Sequence, residues 1–139
     1  MTRHVFFSFK YDPDIWRVNS IRNQVNVKNS QDLGFWDGSI SETSYAKNSD
    51  YIKQKIRNGL EVTGVTVILV TSSTKNSDYV KYEYEQSVKR NNGILILHVE
   101  SMKDQYGKTE TYGNLPYITK GIEKSWYHQC PIGEWIEDL

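Results

Sequence analysis

Gly64-Val-Thr-Val-Ile-Leu-Val-Thr71 is the stretch of sequence that most clearly indicates the fold. It is a near-continuous apolar run, rich in β-branched residues, without alternation between polar and apolar positions. Strands buried on both faces of a parallel sheet have this composition, because helices cover both sides. Gly93 to Val99 (GILILHV) is a second run of the same kind. The two runs predict central strands of a parallel sheet.

Helical patterns lie before and between these two strands. Ser77-Asp78 offers an N-cap to a helix that runs to about Arg90, with one apolar stripe formed by Val80, Tyr84 and Val88. Before Gly64, Ile52, Ile56 and Leu60 form a second stripe, and Gly59 lies near its end, where a C-terminal cap is expected. Each predicted strand is therefore preceded by a predicted helix.

The N-terminal part of the chain continues this alternation. His4 to Phe9 predicts a buried strand, because β-branched and aromatic residues run up to a Lys-Tyr-Asp-Pro turn. An amphipathic helix is expected from about Asp14 to Lys28, followed by a weak strand from Asp32 to Trp36. We expect Gly34 to Gly38 to form a turn, and Ser39 with Glu42 has the spacing of a capping box.

Alternating strands and helices are typical of a parallel sheet covered by helices on both faces. We therefore predict a flavodoxin-like α/β fold of three layers, with a mainly parallel sheet of order 2-1-3-4-5. Beyond Glu100 only Ser125–Gln129 and Pro131–Leu139 are expected to be ordered, the latter as a short helix with Trp135, Ile136 and Leu139 facing inward. We expect a single domain over residues 1–139 and no linker.

The composition of the chain limits which partners it can bind and in which cellular compartment it is expected. The 17 basic and 17 acidic side chains cancel, which predicts no binding of nucleic acid or of an anionic membrane. Cys130 is the only cysteine, and the three histidines lack metal-ligand spacing, so we expect neither a disulfide nor a metal site. No signal peptide and no membrane span is evident. We expect a soluble, cytoplasmic protein.

The predicted sheet places a crevice between strands one and three. In open α/β sheets ligands bind outside the carboxyl ends of the strands, where the strand order reverses. The segments there are Ser8–Asp12 and Thr71–Asn76, both polar. Neither the G-x-G-x-x-G turn of dinucleotide folds nor the G-x-x-x-x-G-K-[ST] phosphate loop is present. A phosphoacceptor receiver domain requires an aspartate at the end of strand three, where this chain has Thr71-Ser72-Ser73.

Glu83 is an acid on the helix after strand three and remains a candidate for chemistry at this crevice. Tyr79 lies one turn before it on the same helical face, so both side chains can lean toward the crevice. A Tyr-x-x-x-Glu spacing is also compatible with a solvated helix acid that pairs with a lysine. Spacing alone leaves both interpretations open.

Three blocks of sequence closely resemble the TIR-like proteins of the Thoeris antiphage system. They are Arg3-His-Val-Phe-Phe-Ser-Phe-Lys-Tyr11, Trp16-Arg-Val-Asn-Ser-Ile-Arg-Asn23 and Tyr79-Val-Lys-Tyr-Glu-Tyr84. With the Gly34–Ser39 and Ser72–Asn76 segments between them, the resemblance extends over roughly residues 3 to 100. It implies a flavodoxin-like TIR fold and conversion of NAD⁺ into a cyclic ADP-ribose isomer or a related conjugate.

The resemblance also implies roles for individual residues. Glu83 maps onto the catalytic glutamate, and Arg17 is a candidate for phosphate binding. The remaining candidates for substrate binding are Phe6, Ser8, Phe9, Tyr11, Asp12, Phe35, Trp36, Asp37, Ser72 and Tyr79. Of these, Phe6, Phe9, Tyr11 and Asp12 would border the nicotinamide ribose, and residues 35–37 would cover the nucleotide. Phe6 and Phe9 are also compatible with the core, because alternate strand residues face the helices.

The partners implied by the resemblance are small molecules and other proteins of the defence system. NAD⁺ is expected as the substrate, so no separate cofactor is required. The nucleotide product would activate a Thoeris effector, a phage component would trigger the enzyme, and self-association would complete the site. Two alternatives remain: a non-catalytic TIR scaffold, and a nucleoside deoxyribosyltransferase in which the glutamate is a covalent nucleophile.

Overall fold

Five parallel strands form the sheet in the computed structural model, which describes residues 4–10, 16–17, 19–21, 34–37, 49–61 and 63–139. The strands are β1 (His4–Ser8), β2 (Gly34–Asp37), β3 (Val65–Val70), β4 (Gly93–His98) and β5 (Ile122–Ser125). They lie in the order β2-β1-β3-β4-β5. In the register, Ser8 pairs with Ile68, and Val70 pairs with His98. The predicted α/β class with a parallel sheet is confirmed.

The described helices are α1 (Ser49–Glu61), α2 (Asp78–Lys89) and α3 (Ile132–Glu137), with a 3₁₀ turn at Thr74–Asn76. Residues 16, 17 and 19–21 are also helical, within the predicted range of 14–28. Ser77 caps α2 as predicted, because its side chain accepts a hydrogen bond from the Val80 backbone N–H at 3.2 Å. Among the described residues, no helix combines the length and apolar character needed to cross a bilayer.

The core lies on both faces of the sheet. Every residue of β3 is buried, as its composition predicts. One face packs beneath α2 through Ile68, Val70, Val80, Tyr84, Ile94 and Ile96. The opposite face packs against the C-terminal part of the chain through Val67, Leu69, Leu95, Leu97, Cys130, Ile132 and Ile136. As predicted for the last helix, Ile136 is buried, and Trp135 and Leu139 pack against this face.

Two segments differ in part from the sequence-based prediction. The weak strand expected over Asp32–Trp36 is confirmed in part as β2, which pairs in parallel with β1, whereas the turn expected over Gly34–Gly38 does not begin at Gly34. Ile122–Ser125 forms β5, although its four residues are exposed and its composition carried no strand signal. The proposed capping box at Ser39 and Glu42 lies outside the described residues.

Candidate active site

Glu83 is a buried carboxylate at the edge of the sheet where β1 ends. It lies on α2, and only 2% of the residue is exposed. The Ser8 hydroxyl donates a hydrogen bond to Glu83 Oε1 over 3.3 Å. Ser8 is the last residue of β1, so the contact joins a strand end to the helix that follows β3. The interpretation of Glu83 as a solvated helix acid is therefore wrong.

A buried pair of hydroxyl groups fixes α2 on the sheet below Glu83. Ser87 Oγ donates to the Glu83 backbone carbonyl at 2.7 Å and lies 2.7 Å from Thr66 Oγ1. Because the carbonyl can only accept, the Thr66 hydroxyl is the donor to Ser87. Thr66 belongs to β3, so this chain of hydrogen bonds ties the Glu83 backbone to the central strand.

The segment after β3 forms a tight turn beside the carboxyl end of β1. The Thr71 N–H donates to Thr74 Oγ1 at 2.8 Å, and the Asn76 N–H donates to the Ser73 carbonyl at 3.0 Å. Thr74 is fully buried and anchors the turn. Ser72 is half-buried on the same turn. The turn thus holds Ser72 at the carboxyl end of β3, where the strand order of the sheet reverses.

Arg17 braces the C-terminal segment from inside the protein. Its side chain is 1% exposed, and its Nη1 donates to Glu110 Oε2 at 2.7 Å. Its Nε and Nη2 donate to the carbonyls of Met102 and Lys108 at 2.8 and 3.1 Å. The other oxygen of Glu110, Oε1, accepts from Ser72 Oγ at 2.9 Å. The structure therefore places Arg17 in a buried structural network instead of at an open phosphate site, because the polar segment 102–110 covers it.

Some of the aromatic residues predicted to bind the substrate lie in the core, and others lie on β2. Phe6 and Phe9 are fully buried in apolar clusters, which supports the core interpretation of both. Tyr79 is half-buried and packs against the cluster that contains Phe6. Residues 35–37 lie on β2, whereas Tyr11 and Asp12 lie outside the described residues. Of the candidates, the structure brings Ser8 and Glu83 into direct contact, whereas Ser72, on the turn after β3, contacts Glu110.

Sequence reasoning missed a histidine bracketed by two carboxylates at the ends of β4 and β5. Protonated His98 donates from Nδ1 to Glu100 at 2.9 Å and from Nε2 to Glu123. Burial alone would lower the pKa of His98, but the hydrogen bonds to both carboxylates raise it above 6.5. The Tyr112 ring stacks on the imidazole at 4.7 Å. A cavity of about 260 Å³ opens beside it, with walls that include Val70, Ile96, Leu115 and Ile118.

Tyr117, in the C-terminal segment, packs beside α2. Its ring centroid lies 5.7 Å from that of Tyr84 on α2. Burial, together with the nearby carboxylates of Glu83 and Glu85, raises the pKa of Tyr117 to about 12. Tyr117 is therefore a neutral phenol at physiological pH. No periodic pattern in the polar, turn-rich sequence around residue 117 marks it as a neighbour of α2.

Comparison with known proteins identifies the family. The model of the family described as "Thoeris protein ThsB, TIR-like domain" matches residues 6–104. A relative from Bacillus cereus (strain MSX-D12), named "Putative cyclic ADP-D-ribose synthase ThsB1", is 35% identical over 127 residues. The matched region covers 90% of this chain but 66% of the relative's length. This chain belongs to the family of Thoeris ThsB TIR-like domains, as the resemblance of its sequence blocks predicts.

Proposed function

We propose that this protein cleaves the nicotinamide–ribose bond of NAD⁺ and forms a cyclic ADP-ribose isomer. The observation that carries the proposal is the buried Glu83 carboxylate, which meets Ser8 at the carboxyl edge of the sheet. Ligands of open α/β sheets bind at this edge. The name of the Bacillus cereus relative, a cyclic ADP-ribose synthase, supports the same chemistry.

One carboxylate is sufficient for the cleavage step. The C1′–N bond breaks, and its electron pair leaves with nicotinamide, whose pyridinium nitrogen is already positive and needs no proton. The ribose then develops oxocarbenium character, which a nearby anion stabilises. We assign this role to Glu83. The Ser8 hydroxyl donates to Glu83 Oε1 and holds the carboxylate in one orientation.

The fate of the cation determines the product. Attack by water, with loss of a proton, gives ADP-ribose. Attack by a hydroxyl oxygen or a ring nitrogen of the same molecule, again with loss of a proton if a hydroxyl attacks, gives a cyclic product. Since only 2% of Glu83 is exposed, we propose that water is excluded from the cation and that the internal nucleophile reacts.

NAD⁺ is the substrate in this proposal and not a bound cofactor. The product would diffuse to a Thoeris effector after a phage component triggers the enzyme. We also propose that self-association completes the site. Membership of the Thoeris ThsB family supports the proposal of these partners.

Product analysis tests the proposal. Concentrated protein, and phage-infected cells that express it, are supplied with NAD⁺, and the nucleotides are identified by mass spectrometry. We expect loss of NAD⁺ and a product that is lighter than ADP-ribose by one water. ADP-ribose alone would refute cyclisation but not cleavage. Unchanged NAD⁺ in both settings would favour a scaffold, and a glycosyl-enzyme trapped with a deoxynucleoside would favour a deoxyribosyltransferase.

A further inference from the structure

We propose that Glu110 is a positioning residue that fixes the Ser72 hydroxyl as a hydrogen-bond acceptor for a ribose hydroxyl of NAD⁺. The inference rests on the proposed function and names a contact for its substrate. Glu110 belongs to the C-terminal segment, beyond the part of the chain that the family model matches. Nothing in its surrounding sequence predicts contact with the crevice.

The direction of the hydrogen bond made by the Ser72 hydroxyl follows from its partner, the Glu110 carboxylate. Ser72 Oγ lies 2.9 Å from Glu110 Oε1, and the second oxygen of that carboxylate receives Arg17 Nη1 at 2.7 Å. An ionised carboxylate only accepts hydrogen bonds, so the Ser72 proton points at Glu110. The remaining capacity of the Ser72 oxygen is its lone pairs. Ser72 can therefore accept from a ligand but cannot donate to one.

Two contacts and limited exposure set the orientation of Glu110. Arg17, with a side chain that is 1% exposed, holds the carboxylate through a guanidinium whose other nitrogens are fixed by backbone carbonyls. The Glu110 N–H donates to the Glu100 carbonyl at 2.9 Å. The Glu110 side chain is only 19% exposed, which limits its rotation into solvent. The carboxylate is thus preorganised to receive the Ser72 proton.

Ser8 follows the same rule at the neighbouring strand end. Its hydroxyl donates to Glu83 Oε1, so its free capacity is also that of an acceptor. Two serines at the carboxyl ends of β1 and β3 are therefore committed as donors to carboxylates. Hydrogen-bond acceptors at this edge bind a ligand group that donates a hydrogen bond. They do not bind the pyrophosphate oxygens, which are themselves acceptors. The ribose hydroxyls of NAD⁺ are such donors, and they are the chemistry that we assign to Ser72.

The test combines variants with substrates that lack one hydroxyl. Ser72→Ala removes the acceptor, and Glu110→Gln lets an amide N–H point at Ser72 and releases the serine proton. Glu134→Gln, an exposed glutamate on α3, is the matched control. The substrates are NAD⁺ and analogues without a hydroxyl on the nicotinamide ribose or on the adenosine ribose, which separates the two sources of the donor.

We expect the wild-type protein and Glu134→Gln to lose about tenfold in kcat/KM on the analogue that lacks the recognised hydroxyl, mainly through KM. With NAD⁺, Ser72→Ala and Glu110→Gln should lower kcat/KM by a similar factor relative to the wild type. For each of these variants, kcat/KM on the analogue should equal kcat/KM on NAD⁺. A merely structural role for Glu110 would lower activity on all substrates equally. Discrimination that stays intact in Ser72→Ala would overturn the inference.

Two features keep the test decisive. Ser72→Ala leaves the Arg17–Glu110 ion pair in place, so it reports on the contact even if Glu110→Gln fails to fold. If the wild-type protein does not consume NAD⁺, the proposed function fails separately. The contact is then tested by the calorimetric affinities of ADP-ribose and its deoxy analogues. Equal affinities for all of them would refute the Ser72 contact without reference to turnover.

Discussion

The hydroxyl of Ser87 makes two short hydrogen bonds inside the protein. It donates to the Glu83 carbonyl and accepts from Thr66 on the central strand, both at 2.7 Å. Ser87 and Thr66 are fully buried. A buried hydroxyl that loses its partner retains the full cost of its desolvation. The pair therefore contributes both to stability and to the placement of the turn of α2 that carries Glu83.

Ser87→Ala is expected to lower the free energy of unfolding by about 1–3 kcal/mol, because the Thr66 hydroxyl is left buried without its acceptor. Adding Thr66→Val removes the stranded hydroxyl, so the double variant should be no less stable than Ser87→Ala alone. Urea denaturation of the two single variants and the double variant measures this coupling. Additive losses would show that the two hydroxyls do not act as a pair.

The positions of individual site residues were predictable from the sequence only in part. The family blocks and the strand ends pointed to Glu83, Ser8 and Ser72, and the structure shows Ser8 in contact with Glu83 and Ser72 in contact with Glu110, while their roles stay predictions. Arg17 was assigned to phosphate because sequence does not reveal that residues 102–110 fold back over its guanidinium. Glu110 was missed for the same reason, since its contact with Arg17 spans 93 residues of chain.

At the level of elements, composition predicted the buried strands more clearly than the edge strands. Apart from Thr66 and His98, β3 and β4 carry no polar side chains, because helices or loops cover both of their faces. β5 is an exposed edge strand, and its stability comes from backbone pairing with β4. Backbone pairing leaves little trace in composition. The same reason explains why the strand predicted over Asp32–Trp36, seen as β2, gave only a weak signal.

Gly113 marks the closest approach of the C-terminal segment to the sheet. A Cβ at this position would overlap the Thr71 carbonyl oxygen, whereas a Cβ at Gly64 would meet nothing within 4 Å. We expect Gly113→Ala to lower the free energy of unfolding by about 1–3 kcal/mol, because the backbone must move apart. Gly64→Ala is the matched control and should change it by less than about 0.5 kcal/mol. Equal stabilities by chemical denaturation would contradict the close approach.

The His98 cluster predicts a dependence of stability on pH. The pKa of folded His98 lies above the unfolded value of 6.5, because Glu100 and Glu123 stabilise the imidazolium. Its contribution to stability is therefore fully present below about pH 6.5 and is lost as the pH rises through the raised pKa. Unfolding free energies of the wild-type protein and His98→Gln should converge with rising pH. A constant difference between the two across the titration would refute the ion pairs.

At the scale of the whole molecule, the C-terminal segment completes the core on both faces of the sheet. Cys130, Ile132 and Ile136 pack on one face of the sheet, and Leu115 packs on the other. The family model ends at residue 104, so these contacts belong to the part of the chain beyond it. The sequence predicted the last helix from its apolar spacing. It did not predict the loop between residues 100 and 121, whose polar contacts depend on the finished fold.

The central claim is that this fold places one carboxylate for cleavage of NAD⁺. Glu83→Gln keeps the size of the side chain and removes its charge, and Glu85→Gln is the control, since Glu85 is exposed on the same helix. The most direct measurement is the release of nicotinamide from NAD⁺ by the purified proteins, with melting temperatures as a check on folding. We predict that Glu83→Gln lowers the rate by about 100-fold or more, while Glu85→Gln matches the wild type. Equal nicotinamide release by the wild type and a folded Glu83→Gln variant would contradict the account.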